Sequence, residues 1–365
     1  MLGKAAGFFV RRDRSGGESM PKALTVLMPL LLAVSSCAWS QTDPGAHTES
    51  IYQSESVFRT NVRLVVVDAQ VLNQKTRQNV AGLTPGDFRL FENGVPQQIS
   101  YLSQDELPLS VVFLFDLTDS VRPVLKPLAA GALQALLHLK PEDEAAVMVY
   151  AASAQLLQGF TTDHHRIEDA IERASRMESP EAAFFNEGLF QATSQAARAA
   201  NGRRRIVIWL TDNIPNIPSE ELQYKYRKSI PISELHSEAE ALKELFRNGV
   251  VVYTLLLRSN ISEREFMHNL NDPLQMMGRR RYPPGDVYRY TEQTGGQVLE
   301  SWSPSRAGAR LADLIDQIRT RYALGYHPPA DASTGRFHEL KLEIAPQIRL
   351  REGKLIVNVR KGYYR

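Results

Sequence analysis

Two stretches of the chain, Val111-Val-Phe-Leu-Phe115 and Ile206-Val-Ile-Trp-Leu210, are apolar without polar alternation. Runs of that kind predict strands buried on both faces, as in the middle of a parallel sheet. Strand and helix patterns alternate around them. Val111–Phe115 precedes a helical pattern over 124–139, and a strand over 145–151 has a hairpin partner over 156–160. Helical patterns follow over 166–177 and 189–200, then the strand 205–211, a helix over 233–248 and an apolar strand over 250–257. A short helix over 287–294, a strand over 296–299 and a helix over 307–322 complete the series. This alternation implies βαβ crossovers, hence an α/β fold with a doubly wound, mostly parallel sheet and helices on both faces.

The flanks read differently. Before the alternating region come short strands over 62–67 and 69–72, then 88–92 and 97–102, with Asn93-Gly94 as a hairpin signal. After it come strands over 322–326, 337–344 and 354–359, with turns at 332–335 and 351–353. Neither flank has enough strands to bury a core alone. The expectation is one small β-sandwich made by both, 55–108 and 322–365, with the α/β domain 109–321 inserted between them. Two long loops carrying Pro and charge, Asn213–Pro231 and Ser259–Gly285, are candidates for function.

The first forty residues change the picture of where the chain works. Lys22 supplies a positive start, residues 23–34 an apolar stretch too short to span a bilayer, and Ala38-Trp39-Ser40 a small-x-small cleavage site. Residues 1–40 thus read as an export signal, with Met20 as an alternative start, and 41–54 as a linker. The only cysteine, Cys37, follows Val34-Ser35-Ser36, a lipobox-like context. Cleavage after Ser40 and a lipid anchor through Cys37 satisfy these patterns equally well. Either outcome leaves the mature chain without a thiol pair for a disulfide. The formal charge is +2, and residues 1–40 hold five basic and two acidic residues, so the remainder carries 2 − 3 = −1. That balance gives no electrostatic case for a nucleic-acid partner.

Candidate chemistry gathers where the two buried strands end. Asp116 closes the first, with Thr118 and Ser120 at two-residue spacing, and Thr211-Asp212 closes the second. In an open α/β sheet the carboxyl ends of strands are where ligands sit. Oxygen ligands on a short turn suit a hard cation, Mg²⁺, Mn²⁺ or Ca²⁺, and a cation would relieve repulsion between neighbouring aspartates. For either aspartate alone, capping of the following turn is the simpler account.

Asp116-Leu-Thr118-Asp-Ser120 resembles the Asp-x-Ser-x-Ser signature of von Willebrand factor A-type domains, and Leu210-Thr211-Asp212 is similar to that family's later aspartate. The likeness covers roughly 109–320. Flanking phrases, Gly82-Leu-Thr-Pro-Gly-Asp87-Phe88 and Tyr322-Ala-Leu-Gly-Tyr326 with Lys361-Gly-Tyr363, are similar to the von Willebrand factor A-related proteins of acidobacteria. The resemblance implies a metal-ion-dependent adhesion site whose ion takes a carboxylate from a protein ligand. Asp116, Thr118 and Ser120 would be its first-loop ligands and Asp212 an acidic partner. The family also uses a threonine from an intervening loop, and here Ala183 stands at that position. Water, Ser179, Glu181 or Glu187 would have to fill the vacancy, so the site is expected to be partly degenerate.

Other motifs are thin. His164-His165 with Glu168 reads as a solvated helix start rather than a ligand cluster, and neither Asp116 nor Ser120 has a histidine partner in sequence. Arg203-Arg204-Arg205 is expected to flank a strand as a solvated edge. Arg279-Arg280-Arg281 falls in a long loop, where it would suit an anionic surface. The leading expectation is an exported, non-enzymatic interaction or adhesion module. Its alternatives are a metal-independent envelope scaffold and, further off, a metal-assisted periplasmic hydrolase.

Overall fold

The computed structural model describes residues 64–104, 107–177, 179, 182–215, 217, 234–258, 264, 267–268, 271–328 and 335–364. The export signal, the linker, most of the 213–231 loop and three of the four residues of the turn expected over 332–335 lie outside the described residues. Among the described residues no helix is long and apolar enough to cross a membrane.

The first flank opens with β1 (Val65–Asn73), one continuous strand where the pattern suggested two. The polar Asp68 that interrupts the apolar run stays within the strand and pairs in register with Ala323. Next come β2 (Phe88–Glu92) and β3 (Val95–Gln97), joined by Asn93 and Gly94. Both turn residues have positive φ, 50° and 79°, as a two-residue hairpin of the tight, mirror-image type requires. The strand expected over 97–102 is divided: Gln97 ends β3 in one sheet, while β4 (Ile99–Ser103) joins the other.

Within the alternating region β5 (Leu109–Asp116) leads to α1 (Arg122–Leu136), then β6 (Glu144–Tyr150) and β7 (Ala154–Thr161). Helices α2 (His164–Arg176) and α3 (Phe185–Ala196) precede β8 (Arg204–Thr211). There follow α4 (Glu238–Asn248), β9 (Val251–Leu257), α5 (Pro273–Arg281), α6 (Val287–Thr294), β10 (Val298–Ser301) and α7 (Pro304–Arg319). Helix α4 begins at a capping box in which Ser237 and Glu240 bond reciprocally, which satisfies two of the orphan donors of its first turn. The sheet order is β10-β9-β8-β5-β6-β7, parallel throughout except for the antiparallel edge strand β7.

Period-two alternation divides the central strands between two apolar layers. Val111, Phe113 and Phe115 face α1, α2 and α7. Val112 and Leu114 face α3, α4 and α6. Every residue of β5 is buried, which explains the absence of polar alternation in its sequence.

The second flank supplies β11 (Tyr322–Tyr326), β12 (Phe337–Ile344), a short helix α8 (Pro346–Glu352), β13 (Leu355–Val359) and β14 (Gly362–Tyr364). Helix α8 and strand β14 carry no clear periodic signal in the sequence. Two four-stranded sheets result, β13-β1-β11-β4 and β14-β12-β2-β3, each mixing strands from both flanks. They enclose a core of Val67, Val71, Phe88, Leu90, Tyr322 and Leu342, among others.

The basic run at the start of β8 is not a solvated edge. Arg204 is buried, and its guanidinium donates to the carbonyls of Ile318, Arg319 and Arg321 at 3.3, 3.1 and 2.9 Å and to Asp68 at 3.2 Å. Arg203 donates to Ser110 Oγ and to the Leu109 carbonyl at 2.8 Å each, and Arg205 to the carbonyls of Ala199 and Asn248. The planar five-donor fork can satisfy carbonyls at helix ends, where cations are also favoured by the helix dipole. The second run, Arg279–Arg281, forms the last turn of α5 rather than lying in open loop.

Candidate functional site

The order β8-β5-β6 contains the point where the chain reverses direction across the sheet. The crossover from β5 runs to β6 on one side, and β8 lies on the other. Ligand crevices of open α/β sheets form at the carboxyl ends of strands at such a point. Asp116 is the last residue of β5, and Asp212 follows the last residue of β8.

Asp116 is fully buried. Its Oδ1 accepts the Thr118 backbone N–H at 3.0 Å and the Thr118 hydroxyl at 2.8 Å. Its Oδ2 accepts the Tyr150 hydroxyl at 2.9 Å and the Thr211 hydroxyl at 2.8 Å. Thr118 Oγ1 lies 3.3 Å from Ser120 Oγ, so the three residues of the first loop form one cluster. The second aspartate, Asp212, is buried too, and its Oδ1 accepts the Ile214 N–H at 3.1 Å, closing its own turn. From β8 the Thr211 hydroxyl reaches Asp116.

Tyr150 ends β6 and is 1% exposed. Trp209 Nε1, which can only donate, lies 3.0 Å from the Tyr150 hydroxyl, so that oxygen accepts from Trp209 and directs its own proton to Asp116. The Tyr150 ring meets Phe185 and Trp209 edge to face, with centroids 6.1 Å apart in each pair. On the α3 side, a Cβ at position 188 would lie 2.6 Å from Tyr150 Cγ, so only glycine leaves room for the ring. Burial pushes the Asp116 carboxyl above its ordinary value of 3.8, against the hydrogen bonds from Thr118, Thr211 and Tyr150. Burial, and then the charge on Asp116, pushes the Tyr150 phenol well above its ordinary value, which keeps it a donor.

The other loops divide the rim into two halves. Above α3, Ala182, Phe184, Ile217 and Tyr282 form a small buried cluster. Ile217 N–H donates to Gln275 Oε1 at 2.8 Å and Tyr282 OH to the His236 carbonyl at 2.7 Å, tying this half together. Glu187 accepts from Gln191 at 2.7 Å and pairs with His236 Nδ1 at 2.6 Å. It is therefore engaged away from Asp116 and does not replace the missing threonine, and Glu181 lies outside the described residues. Between the start of α1 and the end of α2 the rim instead opens into a cavity of about 510 Å³ lined by Arg122, Lys126, Ser175, Arg176, Leu125 and Met177.

Residues 111–214 match the von Willebrand factor type A domain family. Over that part the α/β unit is similar to a family of protein-interaction and adhesion modules that often hold a divalent metal. No curated protein matches the chain. Among solved structures, the conserved hypothetical protein BatB from Bacteroides thetaiotaomicron is 14% identical, with 57% of this chain and 98% of that one covered and a TM-score of 0.38. The proximal thread matrix protein 1 of the mussel byssus, with a zinc-occupied MIDAS motif, is 14% identical over 62% of this chain and 49% of its own, at a TM-score of 0.40. The pilus adhesin SpaC from Lactobacillus rhamnosus GG is 9% identical, covering 81% and 47%, at a TM-score of 0.43.

Of the residues that the resemblance offers to a cation, Asp116 has both of its own oxygens engaged. A carboxylate has about four lone-pair positions, and Asp116 already accepts four hydrogen bonds. Ala183, which the resemblance aligns with the threonine of the intervening loop, has its side chain buried in the apolar layer of α3. Among the described residues, no group of three or more His, Cys, Asp or Glu side chains is placed to hold a metal ion. The His165–Glu168 pair, 3.4 Å apart, is exposed at the start of α2.

Proposed function

We propose that the chain is an exported, non-enzymatic interaction module that binds a protein partner at the carboxyl ends of β5, β6 and β8, seating an acidic side chain of that partner in the cavity beside α1. The cavity carries the proposal. It lies on the open half of the rim, starts two residues after Ser120, and places Arg122, Lys126 and Arg176 around one space with an apolar floor of Leu125 and Met177. Arg122 and Arg176 are held by Asp119 and Glu172 at 2.7 Å, but both pairs are exposed and therefore weak. A partner carboxylate can exchange for either acid at small cost, and bidentate pairing with arginine gives it a fixed direction. The 1–40 pattern supports export, by cleavage or through a lipid on Cys37. The hydrogen bonds of Asp116 run to hydroxyl, phenol and amide groups, with no histidine base among them, which supports binding over hydrolysis.

The test places a photo-activatable residue at position 126 in the producing cells, with a second variant at position 201, exposed at the opposite end of the sheet. A discrete adduct at 126 and none at 201 is expected. Equal adducts at both positions, or none at 126, would contradict the proposal.

A further inference from the structure

The interior of the same site departs from what its fold family implies, and the departure centres on Tyr150, which the family signature does not include. A cation at such a crevice neutralises the strand-end aspartate and fixes the loop that follows it. Here both tasks have other agents. Tyr150 and Thr211 hold Oδ2, and Thr118 holds Oδ1 through its amide and hydroxyl, which fixes the first loop on the carboxylate. The tyrosine is there by construction. Gly188 clears the space for its ring, Phe185 and Trp209 pack its edges, and Trp209 Nε1 sets the direction of its proton.

We propose that the Trp209–Tyr150–Asp116 hydrogen-bond relay, with Thr118 and Thr211, takes the place of the divalent cation, so that the site is closed to Mg²⁺, Mn²⁺ and Ca²⁺ and the strand-end loops are organised without metal. Ala183 belongs to the same arrangement: with no ion to ligate, a hydroxyl there would be a buried polar group in an apolar layer, and alanine avoids that cost. The inference concerns only the interior of the site. It stands or falls apart from the partner cavity, because its readout is the metal itself.

The probe is Mn²⁺ alone, followed by electron paramagnetic resonance of the free ion during titration with the protein isolated from its producing cells. The wild-type chain is expected to leave the free-ion signal undiminished. The double variant Tyr150→Phe/Ala183→Thr frees one lone pair of Asp116 and restores a hydroxyl. It is expected to deplete the signal, at least ~10-fold more tightly than wild type, with excess Mg²⁺ restoring it. Depletion by the wild-type chain that disappears in Asp116→Asn would overturn the proposal, and so would a folded double variant that takes up no Mn²⁺. If the double variant does not fold, the wild-type and Asp116→Asn titrations decide alone: an undiminished signal supports the proposal, and Asp116-dependent depletion overturns it.

Discussion

The two ends of the central sheet solve the problem of buried charge in opposite ways. At the amino end, buried guanidinium groups dominate. Arg204 gathers three carbonyls and Asp68, Arg321 donates to Tyr253 OH at 2.9 Å and to the carbonyls of Asp68 and Asn358, and Arg319 pairs with the buried Asp143. These contacts tie the ends of α7 and β8 to β1 and β13 of the sandwich. At the carboxyl end the buried carboxylates of Asp116 and Asp212 accept from hydroxyl, phenol and amide donors, with charged groups outside, around the cavity beside α1. Fixed charge inside joins the two parts of the fold; charge at the rim stays available to a partner. A buried ion that loses its counterpart is costly, whereas an exposed ion pair can be exchanged.

The largest effect is expected at Arg204. Arg204→Leu leaves Asp68 and three carbonyls short of donors, and a loss of about 3–5 kcal/mol is expected in urea unfolding; a loss below about 1 kcal/mol would show that the amino end is not joined this way. At the other end, Gly188→Ala drives a methyl into the Tyr150 ring and should cost about 1–3 kcal/mol, because a packed core resists the added volume. Tyr150→Phe is expected to cost about 1–3 kcal/mol by the same measurement, since Trp209 Nε1 loses its acceptor and Asp116 a donor. A wild-type chain that loses stability in chelator and regains it with Mg²⁺ would mean that the carboxyl end is metal-organised after all.

The smallest effect is expected far from both ends, at the turn before β2. The Thr84 N–H and hydroxyl each donate to Asp87 at 2.8 Å and hold its carboxyl below the ordinary 3.8. A carboxyl whose folded pKa is depressed stabilises the fold above its unfolded value and loses that contribution as pH falls through the folded one. Acid titration of stability should therefore be slightly shallower in Thr84→Ala than in wild type below about pH 4, by less than about 1 kcal/mol at this exposed site. A steeper profile in the variant would reverse the sign and reject the assignment.

Much of this contrast was legible in the residues, but unevenly. The two-sided burial of β5 and β8 follows from their unbroken apolar runs, and the position of Asp116 from where the first run stops. Asn93-Gly94 gave its hairpin because both positions need positive φ. Other features depended on long-range partners. Nothing local distinguishes a buried Arg204 from a solvated one, since its acceptors lie on β1 and at the end of α7. Tyr150 closes an apolar run, so periodicity counts its ring and ignores its hydroxyl; only the packing of Trp209 and Gly188 reveals where that hydroxyl goes. The Thr211 hydroxyl that reaches Asp116 from β8 sits beside the more conspicuous Asp212, and no local pattern singles it out. Helix α5 has no periodic signature within its Pro- and charge-rich segment because only two of its nine residues are buried, too few for an apolar stripe.

The measurement that bears most directly on the account is the yield of the position-126 photo-adduct in cells washed with a chelator compared with cells supplied with Mg²⁺. A partner held by Arg122, Lys126 and Arg176 beside a hydrogen-bonded, metal-free Asp116 should give the same yield in both. An adduct that disappears with the chelator and returns with Mg²⁺ would contradict it.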